Sequence, residues 1–474
     1  MRLRLSILLV LLLAAGSASI EGWAGVRVVP PFELELHADE AALGLLVPGA
    51  GPEVTREGAL AALLRGELEH DLLGGIASGE PLHELGAPGG PEILVSLPPP
   101  GRSDNDRRYP IALLGAEGLL TSDSTRIDGL VSITDVATGR LRTTAANDPV
   151  AALEELDERI DRNDALRLPL TVLVAAALLV LAVVRPPLAL RALLVALAAN
   201  LLLSPWLALA AVASVVLLPF GPACAAIVLA YLVSLGLDAE TVALSPLGPS
   251  QSGRFYGINN LLETMLLVPA LVGAALLGGA GVVAAALALV AVGGNRFGAD
   301  GGGLLVLAAG FAVLAAIGLE VRLSARSVTV GAAAVVAAAV ALVALDAVTG
   351  ADTHVTSALS GGPGELAADL ADRIELSVRR TLASPAALVV VLAGLAVLAG
   401  VALRGELTPV LIAFLVALAV SLVVNDTPSD VIGMGAAVAV ALSRAAPWLP
   451  GGQRPRRRPG LSPFLESHGR RRSR

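Results

Sequence analysis

From Leu168 onward the chain is a succession of apolar runs broken by short polar turns. A helix needs ~20 apolar residues to cross the ~30 Å hydrocarbon core, because backbone groups in lipid find no water to bond. Candidate spans fall at 168–184, 187–203, 205–220, 222–236, 259–278, 280–294, 302–319, 327–345, 386–403, 408–424 and 430–446. The expected fold is an α-helical polytopic membrane bundle of about eleven spans behind an N-terminal exported α/β domain. Composition points the same way, with 55% hydrophobic residues and a mean hydropathy of +0.77, outside the range of an ordinary soluble domain. Aromatics are only 3%, so the spans consist of Ala, Leu, Val and Gly, small residues that let helices approach closely in lipid.

The segment before Leu168 divides in two. Arg2 and Arg4 precede an apolar run from Ile7 to Ala15 and small residues from Gly16 to Ala18, the pattern of a secretory signal at 1–18. Residues 22–166 then read as an exported domain. Within it, Ala59–Arg65 is a helix candidate, and Ile93–Leu97 and Ile111–Leu114 read as buried strands. Asp148–Asp164 reads as an acidic amphipathic stalk leading to the membrane domain, 168–446. The single cysteine, Cys224, excludes an intramolecular disulfide. No lysine occurs, and the bias to Arg, Ala, Gly and Leu looks like high-GC bacterial coding. The charge of −8 is uneven: acidic residues gather before Leu168, and Arg residues gather in the tail 447–474. That asymmetry concerns membrane orientation rather than nucleic acid. With the first domain outside, Arg185, the 322–326 loop, Arg404 and the tail fall on the cytoplasmic side of the plasma membrane. Loops 237–258, 295–301, 346–385 and 425–429 then face outward.

Those outward loops carry four polar motifs: Arg254-Phe255-Tyr256-Gly257-Ile258-Asn259-Asn260, Asn295 to Gly302, Asp352-Thr353-His354 and Asn425-Asp426-Thr427. Arg254 and Arg296 offer planar donor forks suited to a carboxylate or phosphate. Gly257 suits a close backbone approach or an unusual turn. Asn260 and Glu263 are three residues apart, hence on one helix face, and Glu263 lies about a turn inside apolar sequence. A carboxylate at that depth must face the bundle interior. Asp300 reads either as a helix cap or, with the following glycines, as part of an anion site. Asp352 and His354 suit a divalent metal, shared with Asp300, or acid–base work. Leu366–Leu382 reads as an amphipathic surface helix. The candidate catalytic set is Glu263, Asp300, His354 and Asp426. The candidate substrate-binding set is Arg254, Tyr256, Asn259, Asn260, Arg296 and Asn425. All are expected to converge in one outward-facing cavity.

The stretch from Gly118 to Ala137, with Gly118-Leu119-Leu120-Thr121-Ser122 and Ser124-Thr125-Arg126-Ile127-Asp128-Gly129-Leu130-Val131, resembles the late segment of alkaline-phosphatase-superfamily domains. The resemblance implies a strand ending in the Gly-Leu-Leu-Thr-Ser turn, then a helix capped by Asp135. Those enzymes use two metals bound by Asp and His. Here only His37, His70 and His83 occur before the membrane half, without an Asp-His dipeptide, so the resemblance implies a degenerate, non-catalytic relative. The membrane half is similar to uncharacterised bacterial polytopic proteins that carry an Arg-aromatic-Tyr-Gly-Ile-x-Asn, a Gly-Ala-Asp-x-Gly-Gly and an Asn-Asp-Ser/Thr motif. Three functional classes follow: an envelope enzyme acting on a phosphate-bearing or lipid-linked substrate, a transporter or flippase, and a non-catalytic envelope scaffold.

Overall fold

The computed structural model describes residues 18–19, 25–321 (apart from 38, 52, 66, 71–73, 78–83, 86–91, 253 and 295), 329, 374–404 (apart from 376 and 380) and 406–448 (apart from 426). The signal segment to Ser17, the 327–345 span apart from Thr329, and the tail beyond Trp448 lie outside the described residues. An N-terminal α/β domain precedes a bundle of apolar helices.

The strands in chain order are β1 (Ala18–Ser19), β2 (Gly25–Val29), β3 (Ala41–Val47), β4 (Glu53–Thr55), β5 (Glu67–His70), β6 (Gly74–Ala77), β7 (Glu84–Leu85), β8 (Glu92–Ser96), β9 (Arg102–Asp104), β10 (Tyr109–Leu114), β11 (Leu119–Ser122), β12 (Leu130–Ser132) and β13 (Leu141–Thr144). One nine-stranded mixed sheet has the order β1-β13-β11-β3-β10-β8-β2-β7, with β12 also paired to β3. The remaining strands form two ribbons, β4 with β9 and β5 with β6. The candidate strands at 93–97 and 111–114 are β8 and β10. The candidate helix is Arg56–Arg65.

β3 is apolar throughout because both its faces are covered. Ala42 and Leu46 pack with Ala59, Leu63, Ile133 and Val136 from two helices on one side. Ala41, Leu43 and Leu45 pack on the other side with Leu153, Leu156 and Ile160, and with Ala243, Leu244 and Phe255 from the membrane half. The sheet therefore completes its second core with residues more than eighty positions downstream.

Two details of the 118–137 stretch differ from expectation. Leu119–Ser122 is itself a strand, paired antiparallel to β13. The following helix, Ile133–Thr138, has Ser132 as its N-cap, and Asp135 is the third helical residue of a capping box. Asp135 Oδ2 accepts from Ser132 N at 2.9 Å, Ser122 Oγ at 2.8 Å and Ser124 Oγ at 2.6 Å. Its carboxyl gathers the turn rather than capping the helix alone.

The stalk and the first span are one helix, Pro149–Val184, continuous through Pro169. Its N-terminal part lies against the sheet and its C-terminal part is apolar and largely exposed, with Leu168 at 71% and Val183 at 73%. Among the described residues, four helices are long and apolar enough to cross a membrane: Pro149–Val184, Phe220–Leu237, Gly301–Gly318 and Pro385–Arg404. The expected count of about eleven is not supported. The segments at 187–203 and 205–220 form helices of 14 and 13 residues. At 1.5 Å per residue these reach roughly 20 Å, short of the ~30 Å core. The apolar pattern was read correctly as helix, but run length overstates helix length where Pro205 and Pro219 begin new segments. Helices approach closely at small residues: a Cβ on Gly394 would lie 2.4 Å from Ile432 Cγ2, and one on Gly435 would lie 2.6 Å from Leu418 Cδ1.

Burial raises the Asp135 pKa above the usual carboxylate value, against the lowering effect of its serine donors. A raised carboxyl contributes stability that is full below its unfolded value and fades as pH rises through the folded value. Asp135→Asn keeps an acceptor oxygen and is expected to lose this pH dependence. Asp135→Ala is expected to destabilise by about 2–4 kcal/mol, because three donors lose their acceptor. Thermal unfolding of both variants across pH 4–8 checks this.

Candidate functional site

The site is assembled on the 238–260 segment. Asn259 is the N-cap of the Asn260–Leu276 helix, its Oδ1 accepting from Leu262 N at 2.8 Å. Its Nδ2 donates to Leu247 O at 3.0 Å and Gly248 O at 2.6 Å, which ties the cap to the preceding loop. Gly257 takes φ +84°, and a Cβ there would lie 2.0 Å from Gly298 O. Only glycine permits that approach, and Ile258 N uses it to donate to Gly298 O at 2.9 Å. The 254–258 loop is thereby joined to the turn that starts the Gly301–Gly318 helix.

Arg254 completes the junction. Its Nη2 donates to Gly298 O at 3.1 Å and Ala299 O at 3.3 Å, and its Nη1 lies 3.8 Å from Asp300 Oδ1. Asp300 is the N-cap of the 301–318 helix, accepting from Gly303 N at 3.0 Å. Glu263, 1% exposed, accepts at Oε2 from Asn425 Nδ2 at 2.7 Å, and the same Nδ2 reaches Ser421 Oγ at 2.8 Å. Asn260 Nδ2 donates to Thr427 Oγ1 at 2.7 Å. The expected shared face of Asn260 and Glu263 therefore meets the Asn425–Thr427 turn. Ser377 Oγ donates to Asn425 O at 2.9 Å, so part of the expected 366–382 amphipathic helix lies over this turn. Two carboxylate oxygens, Glu263 Oε1 and Asp300 Oδ2, are buried without a hydrogen-bond partner. The repulsion between Glu263 and Asp300 and the attraction of Arg254 act on the same buried group.

Arg254, Asn260, Glu263, Asp300 and Asn425 thus come together. The Arg254 guanidinium donates to two carbonyls and lies beside Asp300, so it ties its loop to the Gly298–Asp300 turn. Asn259 is a helix cap. The Tyr256 ring lies under Arg126 of the N-terminal domain, 3.9 Å from guanidinium carbon to ring centroid, and so belongs to the contact between the two halves. Arg296 is exposed at the rim. Asn295, Asp352, His354 and Asp426 lie outside the described residues. Among the described residues no group of three or more His, Cys, Asp or Glu is placed to hold a metal. Glu263 and Asp300 alone fall short of the six or more oxygens of a resident divalent cation.

Sequence reasoning passed over the polar residues that hold the 238–258 loop. Asn200 Nδ2 donates to Ser245 Oγ at 2.8 Å, and its Oδ1 accepts from Leu247 N at 3.1 Å. Gln251, at φ +55°, donates from Nε2 to Ala243 O at 2.8 Å and Phe255 O at 3.0 Å. Glu240 Oε1 accepts from Asp128 N at 2.9 Å, and Asn105 Nδ2 donates to Ser252 O at 3.1 Å. Burial holds the Glu240 carboxyl above the usual carboxylate range, against the opposing Asp128 N–H. The available signal was an isolated Asn between apolar runs at 200, which must find partners if it sits in the bundle. Comparison with protein families, curated proteins and solved structures finds no match.

Gly257→Ala is expected to cost at least ~1–3 kcal/mol from backbone strain alone, and more from the Gly298 collision. A thermal-shift measurement on the purified chain checks it. Arg126→Ala and Tyr256→Ala, measured singly and together, are expected to show a coupling of ~0.5–2 kcal/mol in a double-mutant cycle.

Proposed function

We propose that the chain is a multi-pass envelope membrane protein of the transporter class, with its working centre at Arg254, Glu263, Asp300 and Asn425. The observation that carries this reading is the pair of buried carboxylate oxygens without partners among the described residues, one on Glu263 about a turn inside apolar sequence and one on the helix cap Asp300. A closed centre of this size suits a small ion and a change of access, because no bulky substrate reaches a carboxylate that is 1% exposed. The N-terminal domain, carrying the residues that resemble a degenerate alkaline-phosphatase relative, serves as a non-catalytic cover on the extracytoplasmic side. The signal segment, the multi-pass topology and the cytoplasmic tail belong to the same proposal. The second reading is an enzyme acting on a phosphate-bearing or lipid-linked envelope substrate at the mouth. Exposed Arg296 favours it, but the internal commitment of Arg254 places it second.

Sidedness separates the classes. In a Cys224→Ser background, a cysteine replacing Ser421 beside Asn425 is treated with a membrane-impermeant thiol reagent, in spheroplasts and in inverted vesicles. Modification from both sides is expected of a transporter. Modification from the domain side alone would replace this reading with the enzyme, and protection from both sides would replace it with a sealed scaffold.

A further inference from the structure

We infer that Glu263 and Asp300 jointly bind one monovalent cation, a proton or Na⁺. This ligand assignment deepens the proposed transporter reading and rests on it. The first ground is charge. Among the described residues, the charged groups that act on Glu263 are Asp300 and Arg254. Two carboxylates face one guanidinium, which leaves one negative charge uncompensated in an apolar bundle. Burying such a charge costs several kcal/mol unless a positive partner is supplied. Among the described residues the neighbouring elements supply none. Asn425 and Ser421 on the 409–424 side are neutral and already bonded to each other and to Glu263. Glu375 and Arg379 pair at 2.5 Å, both half exposed. Asp430 on the Pro428–Ala445 helix acts on Arg167.

The second ground is the unused oxygens. Glu263 Oε1 and Asp300 Oδ2 have no hydrogen-bond partner, although Asp300 is 5% and Glu263 1% exposed. Buried acceptors are ordinarily satisfied, so a pair of orphans on two adjacent carboxylates points to a bound positive group. The third ground is the close approach of a glycine run. At Gly302 a Cβ would lie 2.6 Å from Asn425 Oδ1 and 3.5 Å from Asp300 Oδ1. At Gly303 a Cβ would lie 2.8 Å from Asp300 Oδ2. The glycine run therefore lets the start of its helix lie close against the Asn425 and Asp300 oxygens, where any side chain would crowd them. Oxygen donors with a net charge of −1 select a hard monovalent cation, and a proton satisfies the same charge with fewer ligands.

The test uses full-length protein in detergent. Equilibrium binding of radioactive Na⁺ is measured at pH 8, and thermal unfolding is followed in NaCl against choline chloride, then from pH 8 to pH 5.5 without sodium. If Na⁺ is the ligand, binding saturates at one ion per chain, and Na⁺ but not choline raises the unfolding temperature. If the proton is the ligand, sodium does neither, and the unfolding temperature rises as the pH falls. Glu263→Gln is expected to remove whichever response the wild type gives. Gly302→Ala, which leaves every charge in place, is expected to weaken Na⁺ binding roughly 10–100-fold, the range for disturbing a ligand's surroundings. Wild type with neither response, or with a response unchanged in both variants, overturns the inference, and the binding measurement on wild type stands even if Glu263→Gln does not fold. Binding without two-sided thiol access at position 421 would remove the transporter reading and leave the ligand assignment. Two-sided access without any cation response would do the reverse.

Discussion

A carboxylate inside an apolar helical bundle has to be met by partners, and around Glu263 that requirement organises one end of the molecule. Asn425 closes the 409–424 helix and turns its amide to Glu263 Oε2. Asp300, across from it, is stabilised as a helix cap and by Arg254. Arg254 in turn reaches Asp300 only because Gly257 lets its loop lie against the Gly298 carbonyl. Each contact presupposes the next, so the polar residues behave as one unit rather than as separate caps.

The same loop carries the N-terminal domain. Phe255 enters the core beneath β3, Tyr256 meets Arg126, and Ser252 O accepts from Asn105. Arg254 lies between these residues and faces the other way. The contacts of the domain and those of the carboxylates are thus two residues apart along the chain. The domain needs the loop as well, because without Ala243, Leu244 and Phe255 the second face of its sheet would expose apolar surface.

Much of this was legible before any coordinates. Apolar runs showed helices, and the three-residue spacing of Asn260 and Glu263 showed that they share one inward face. Gly257 was legible as a close approach. The role of Arg254 was not, because an arginine fork fits a backbone carbonyl pair as well as a phosphate, and only position decides between them. Likewise Asp135 was legible as a capping residue, but the residue that would start its helix depended on how far β12 extends along β3.

The sequence by itself determined that the second half is helical and apolar and that its polar residues gather in a few turns, since periodicity and hydropathy are local properties. It also determined that Glu263 must face inward, because lipid tolerates no other placement. Only the tertiary structure decided which turns meet and which donors are consumed by backbone carbonyls. It also decided that two carboxylates keep an unpaired oxygen each. Those outcomes depend on contacts between residues far apart in the chain, such as Arg254 with Gly298, 44 positions apart, and Glu263 with Asn425, 162 apart, which no local pattern encodes.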